Sequence, residues 1–243
     1  MDVIRRYHSI VAGQLDAALT GQAEAMDRAA GWLAEALAGG RWLFAAGTGH
    51  SHLLALELFY RAGGLVRAVP LLDEDLMLHR SASKSSGFER ETGRAAGLLS
   101  RYGVAQGDVL VVISNSGRNA VPVEWAIHGR ERGARVIGLT SMAHARAHPS
   151  RHASGLRLFE VADVVLDNGG VEGDAAVEVS PGLMMGATST AVGAAMLQGL
   201  VAEAAARAIQ KGWEPEVYRS SNGGGEAQNS RYLAEHAGRL PHL

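Results

Sequence analysis

Cysteine is absent from the 243 residues, which rules out disulfides, thiolate metal sites and a cysteine nucleophile. Lysine occurs only at Lys84 and Lys211, so nearly all the positive charge is arginine, a bias read here as genome composition rather than chemistry. Neither sign of charge is in excess: 23 basic against 25 acidic side chains leave a net charge of −2. That balance provides no basic field for nucleic acid. Long apolar runs are also missing, and none reaches the roughly 18–20 residues a membrane span requires. The longest candidate, residues 183–200, is rich in Gly, Ala, Ser and Thr and holds Gln198, so it is expected to form a buried helix. Residues 1–10 carry Asp2, Arg5 and Arg6 and lack an apolar centre, so no signal peptide is expected there. The expected compartment is the cytoplasm, with no membrane and no nucleic acid as partner.

Hydrophobic residues make up 47% of the chain and Gly numbers 31, as in a globular protein with a sizeable core. Two stretches with helical apolar spacing occupy residues 2–38, and Gly39-Gly40 closes the second. No strand precedes them. Residues 1–39 are therefore expected to form an N-terminal helical arm that packs on a partner subunit or on its own domain. From residue 40 to 210 short apolar runs alternate with helices. Strands are expected at 41–46, 66–70, 108–114, 135–140 and 161–166, and helices at 52–63 and 117–133. Continuous apolar strands alternating with helices indicate an α/β domain with a parallel sheet covered on both faces. Residues 71–90 read as a long polar loop leading into a helix near Phe88. The C-terminal tail, residues 211–243, contains a Gly-rich stretch and an expected short helix at 226–236.

Two strand-turn-helix units place small hydroxyl residues at the turn: Gly47-Thr48-Gly49-His50-Ser51, and Ser114-Asn115-Ser116-Gly117-Arg118-Asn119. In parallel sheets ligands bind beyond the carboxyl ends of the strands. Free N–H groups at helix starts suit phosphate, and glycine lets the backbone approach it closely. Arg118 is placed to add a charge-assisted bond. His52 stands where a dinucleotide fingerprint would have its third glycine, and no Gly-Lys-Ser/Thr occurs.

These two motifs, followed by Ala162-Asp163 and by residues 186–190 (Gly-Ala-Thr-Ser-Thr) opening a long helix, resemble the SIS (sugar isomerase) domain family over residues 40–210. The Leu76-Met77-Leu78-His79 segment and the closing Gly238-Arg239-Leu240 resemble a group of short single-domain proteins in that family. The resemblance implies a three-layer α/β/α sandwich around a flavodoxin-like five-stranded parallel sheet. It also implies a phosphosugar held between the two turns, often at a homodimer interface, with a tetramer left open. Ser51, Ser114, Ser116 and Asn119 would hold the phosphate or nearby hydroxyls, with Gly47, Thr48, Asn115 and Gly117 lining the same turns. Many relatives have Thr or Ser where this chain has Asn119.

Isomerisation of an aldose to a ketose needs a base to move a proton between adjacent carbons and an acid for the oxygens. Glu57, six residues past Ser51, is the first candidate, with Glu89 and His79 flanking the long loop as the others. Related isomerases and etherases often carry an acid about one turn beyond Glu57, where this chain has Arg61. Tail residues Ser221, Asn222, Glu226 and Asn229 are further groups that would reach a site across a dimer. His144, His148 and His152 recur at intervals of four, but Pro149 interrupts any helix that would align them, so they read as surface groups. His50 and His52 lie in the first turn without a clear third ligand. No metal and no cofactor are expected. The expected function is phosphosugar isomerisation, with a phosphosugar lyase or etherase, or a non-catalytic sensor, as alternatives.

Overall fold

The computed structural model describes residues 2–239 and His242. Leu240, the last residue of the closing tripeptide noted above, lies outside the described residues. In chain order the elements begin with α1 (Asp2–Thr20), α2 (Ala23–Ala38), β1 (Leu43–Gly47), α3 (His52–Glu57), β2 (Ala68–Leu71), α4 (Leu78–Phe88) and α5 (Arg94–Tyr102). They continue with β3 (Val109–Ile113), α6 (Ala120–Glu131), β4 (Arg135–Thr140), α7 (Met142–Ala147), α8 (Leu158–Val161) and β5 (Val164–Asp167). The last are β6 (Ala175–Ser180), β7 (Leu183–Ala187), α9 (Ser189–Gln210) and α10 (Glu226–His236).

Strands β1, β2 and β3 are buried along their whole length, as apolar runs without alternation require. The five-stranded sheet has the order β2-β1-β3-β4-β5, and every pairing is parallel. It is the expected α/β sandwich. Side chains alternate between the faces. Leu43, Ala45, Val109, Val111 and Ile113 point into a layer built from α2, α3 and α9, with Leu33, Leu37, Leu54 and Leu197 against them. Phe44, Ala46, Leu110 and Val112 point the other way, onto Leu99, Val121, Trp125 and Leu158 of α5, α6 and α8. Fully burying a side chain of this size contributes roughly 1.5–3 kcal/mol. Helix α2 of the N-terminal segment thus belongs to a covering layer. Helix α1 buries only Ala18 and is tied down by its Tyr7 hydroxyl donating to the Ala187 carbonyl at 2.7 Å and by Gln14 Nε2 donating to Gly169 at 3.1 Å.

Several expected elements differ. The helix expected over 52–63 ends at Glu57, because the chain turns away through Tyr60 at φ +41° and Gly63 at φ +81°. Most of the polar stretch 71–90 is helical, as α4, with one extended residue, Ser81. Residues 183–187, expected to open a buried helix, form β7 of an antiparallel hairpin with β6, turned at Gly182 (φ +77°), and the helix begins only at Ser189. Helix α9 is long and apolar enough to cross a membrane. Here Val192, Met196, Leu197, Leu200, Val201, Ala204 and Ala208 sit in the protein core.

Candidate phosphate-binding site

Chain order reverses between β1 and β3. The chain leaves β1 for β2 on one side, then crosses back to β3 on the other. Gly47 at the end of β1 pairs with Ile113 at the end of β3, so the two hydroxyl-bearing turns start side by side, about 4.8 Å apart across the ladder. This is the crevice where a doubly wound sheet binds ligands.

The first turn tightens immediately. A Cβ on Gly47 would lie 2.4 Å from the Ser51 carbonyl oxygen, so only glycine fits. Thr48 is buried, Gly49–Ser51 make one 3₁₀ turn, and α3 follows. The His52 ring is hydrogen-bonded through Nδ1 to the Gly49 carbonyl, which commits it to holding the turn.

The second turn is fixed from beneath. Ser114 N–H donates to Leu139 at 3.0 Å, and Ser114 Oγ accepts from Gly117 N–H at 3.1 Å. The Asn115 carbonyl accepts from Thr140 Oγ1 and Ser141 N–H, both at 3.1 Å, and Asn115 Oδ1 accepts from Asn168 Nδ2 at 2.9 Å. Gly117 takes φ +58°. Among the described residues, the backbone N–H groups of Ser116, Arg118, Asn119 and Ala120 donate to no protein acceptor, nor do the hydroxyls of Thr48, Ser51 and Ser116 make any protein hydrogen bond. Beyond the Ala120 N–H the start of α6 offers little. Val121 N–H is taken by the Glu89 carbonyl at 3.1 Å, and the next residue is Pro122. An anion would therefore be held by the turn's own N–H groups, a concave backbone nest, rather than by the helix end.

Helix α4 spans the crevice. Leu78 at its start packs 4.0 Å from the position a Gly49 Cβ would take, and the His79 ring lies 6.2 Å from that of His52. At the other end the Glu89 carbonyl meets α6. His79 thus stands by the first turn and Glu89 by the second. Glu57 lies at the end of α3, with its carboxylate ion-paired to Arg61 and accepting from Gln198 Nε2 of α9 at 3.2 Å. Arg61, one turn beyond Glu57, thus serves as its ion-pair partner.

Arg151 is a site residue with no signal in the sequence. It sits in the loop before α8, and its Nη1 donates to Asn119 Oδ1 at 3.0 Å. Partial burial, followed by the positive charges of Arg118 and Arg90, pushes its guanidinium below the ordinary arginine value, while the Glu89 charge acts the other way. Asn119 Oδ1 is therefore already engaged, which leaves its Nδ2 to face a ligand.

The remaining candidates lie elsewhere. The tail docks at Leu65 and Val66, before β2, with Tyr232 against Val66 and Tyr218. Asn229 there is spent on the Arg219 backbone, donating at 2.7 Å and accepting at 2.9 Å. Within one protomer, Ser221, Asn222, Glu226 and Asn229 lie at the end of the sheet opposite the two turns. His144 and His148 face one another at 6.0 Å, and His148 Nε2 lies 2.8 Å from Glu172. Burial, then the neighbouring His148, lowers the His144 pKa. His152 points away, to Ser154 at 2.7 Å. Among the described residues one triplet could hold a metal, Glu216, Glu235 and His236, but Arg67 already pairs with Glu216 at 2.9 Å. A cavity of about 560 Å³ lined by Trp32, Arg41, Arg130 and Arg135 opens at the amino ends of the strands, the wrong end for a ligand of this sheet. A second, of about 870 Å³, borders the first turn through His79 and runs over Asp73, Asp75 and Arg94.

Residues 6–141, which include both turns, match the family model of the SIS domain. The chain belongs to the SIS domain family. Among its relatives, UPF0309 protein BH3325 of Halalkalibacterium halodurans is 42% identical over 217 residues, covering 88% of this chain and 90% of that one. UPF0309 protein BCAN_B0929 of Brucella canis is 42% identical over 244 residues, covering 100% and 99%. Two solved SIS-like folds superpose on this one. A phosphoheptose isomerase from Francisella tularensis gives a TM-score of 0.53 at 15% identity, covering 84% of this chain and 96% of that one. A phosphoheptose isomerase from Neisseria gonorrhoeae gives 0.50 at 20% identity, covering 85% and 95%. At such identities the likeness is one of fold.

Proposed function

We propose that this SIS domain binds a sugar phosphate at the β1–β3 crevice and isomerises it between aldose and ketose by proton transfer, acting in the cytoplasm without a cofactor. The observation that carries the reading is the pair of adjacent turns that carry free N–H groups and hydroxyls side by side at the carboxyl ends of β1 and β3. Thr48, Ser51, Ser116 and Asn119 Nδ2 complete a neutral donor set for phosphate, with Ser114, Gly47, Asn115 and Gly117 shaping the backbone that presents it. Binding energy from the phosphate would fix the reacting carbons near the base. Helix α4 carries His79 at the first turn and Glu89 at the second, so the proton carrier is whichever comes within hydrogen-bond reach of the reacting carbons. Glu57, steadied by Arg61 and Gln198, is the third candidate. The test is isomerase assay and solvent-deuterium incorporation at the carbon next to the carbonyl, with Glu57→Gln, Glu89→Gln and His79→Asn. Loss of about 10²–10⁴-fold in kcat in one of them identifies the proton carrier. If the wild-type protein exchanges no deuterium into any phosphosugar it binds, the isomerase reading fails and a lyase or a sensor takes its place.

We further propose that two copies pair through α1 and the β6–β7 hairpin. Ile4 is 68% exposed and Met185 55%, and Leu183, Met184 and Val179 are exposed beside them. Val3, Ile4, Tyr7, Val177 and Met185 line an apolar cleft of about 330 Å³ on this face. The accessible surface of 11245 Å² exceeds by about 900 Å² what a folded monomer of this mass exposes. A standard interface buries about 800 Å² on each partner.

A further inference from the structure

The donor set at the second turn is already sufficient for one phosphate, yet the guanidiniums of Arg118 and Arg151 are tied in beside it, with Arg90 near enough for its charge to act on Arg151. Arg118 lies in the turn, Arg90 follows the end of α4, and Arg151 comes from the loop before α8. Their association is built by the fold. Arg151 N–H donates to the Arg118 carbonyl at 2.8 Å, Arg118 Nε donates to the Pro149 carbonyl at 2.9 Å, and Arg151 Nη1 donates to Asn119 Oδ1 at 3.0 Å. The Glu89 carbonyl, next to Arg90, is fastened to α6 at 3.1 Å. Among the described residues none of the three pairs with a carboxylate. Arg94 and Arg157, by contrast, each form charged pairs at 3.0 Å or less. The Glu89 carboxylate acts on Arg151 but pairs with none of the three, so the gathered like charges are unfavourable unless a further anion joins them. Guanidinium groups are also the side chains best shaped for bidentate grip on carboxylate or phosphate.

We propose that Arg90, Arg118 and Arg151 form a second anion subsite beside the Ser-Asn-Ser-Gly turn, so that the ligand carries a carboxylate or a second phosphate besides the phosphate held at the turn. The inference rests on the phosphosugar reading and narrows its substrate class to sugar derivatives with two anionic groups. Asn119 joins the subsites, with Oδ1 fixed by Arg151 and Nδ2 free for the first phosphate.

Calorimetric titration tests this with glucose 6-phosphate, 6-phosphogluconate, fructose 1,6-bisphosphate and inorganic phosphate at constant ionic strength. The proteins are wild type, Arg151→Gln and the exposed-site variant Arg90→Gln, each checked for an unchanged circular dichroism spectrum. The expected result is a preference of about tenfold or more for one of the two-anion ligands over glucose 6-phosphate. Arg90→Gln removes that preference and leaves glucose 6-phosphate within about twofold; Arg151→Gln removes it too, and also weakens glucose 6-phosphate because Asn119 loses its anchor. Which of the two ligands is preferred separates carboxylate from phosphate. Equal weakening of all ligands by Arg90→Gln would overturn the proposal, since the arginines would then serve the single phosphate. So would the absence of any preference in the wild type. No binding of any sugar phosphate to the wild type would overturn the phosphosugar reading as well.

Discussion

Gly117 lies at the centre of the second turn, and two separate constraints act on it. Its φ of +58° disfavours any side chain, and a Cβ there would lie 3.1 Å from Thr140 Oγ1 and 3.3 Å from Leu158 Cβ. Gly155 has a similar φ of +74° but open space around it. Both Gly→Ala changes incur the left-handed cost of about 1–2 kcal/mol. Gly117→Ala should cost at least about 1 kcal/mol more in urea unfolding, and should also abolish a thermal shift by sugar phosphates. Equal costs for the two would mean that contacts at Thr140 and Leu158 do not constrain the turn. The Ser-x-Ser-Gly turn was legible because its residues are contiguous and follow an unmistakable buried strand. Arg151 was not. It is 32 residues from Asn119, in a loop without pattern, and only tertiary contact gives it a role.

Among the elements, sequence reading succeeded where apolar pattern and boundary coincide. Residues 135–140 are strand β4 and residues 226–236 helix α10, both as expected. It failed where packing overrides composition. Helix α4 is rich in serine, a middling helix former. It is held by contacts at both ends: by Leu78 on the first turn and, past its last residue, by Glu89 on α6. The hairpin strand reads as part of α9 in the sequence because its apolar residues 183–187 run directly into the apolar helix. The break is conformational, at Gly182 and Thr188. Asp174 then secures the start of α9, accepting from Thr188 N–H at 3.1 Å and Ser189 N–H at 3.0 Å. On the other face, buried Glu124 of α6 accepts the Gly93 N–H at 2.8 Å and so anchors the start of α5. Glu124→Ala should destabilise the protein by about 1–3 kcal/mol, the cost of leaving such a donor unmet. Denaturant titration would check it, and a loss below about 0.5 kcal/mol would show that water replaces the carboxylate freely.

At the scale of the molecule, family resemblance implied a flavodoxin-like five-stranded parallel sheet, while its order β2-β1-β3-β4-β5 is a long-range property that local pattern does not encode. Assembly belongs to this scale too. Light scattering of the wild type at micromolar concentration should give twice the 25.5 kDa chain mass. Ile4→Glu with Met185→Glu should give the single-chain mass with an unchanged far-ultraviolet spectrum. A monomeric wild type, or a dimer indifferent to both charges, would discard the α1–hairpin pairing.

The exposed Met184 and Met185 on that hairpin give this face a chemical vulnerability. Peroxide converts a thioether into a polar sulfoxide, and methionine sulfoxide reductases reverse the change. If two copies pair through this face as proposed, a chain with no thiol at all would still respond to oxidants, by coming apart rather than through any covalent cross-link.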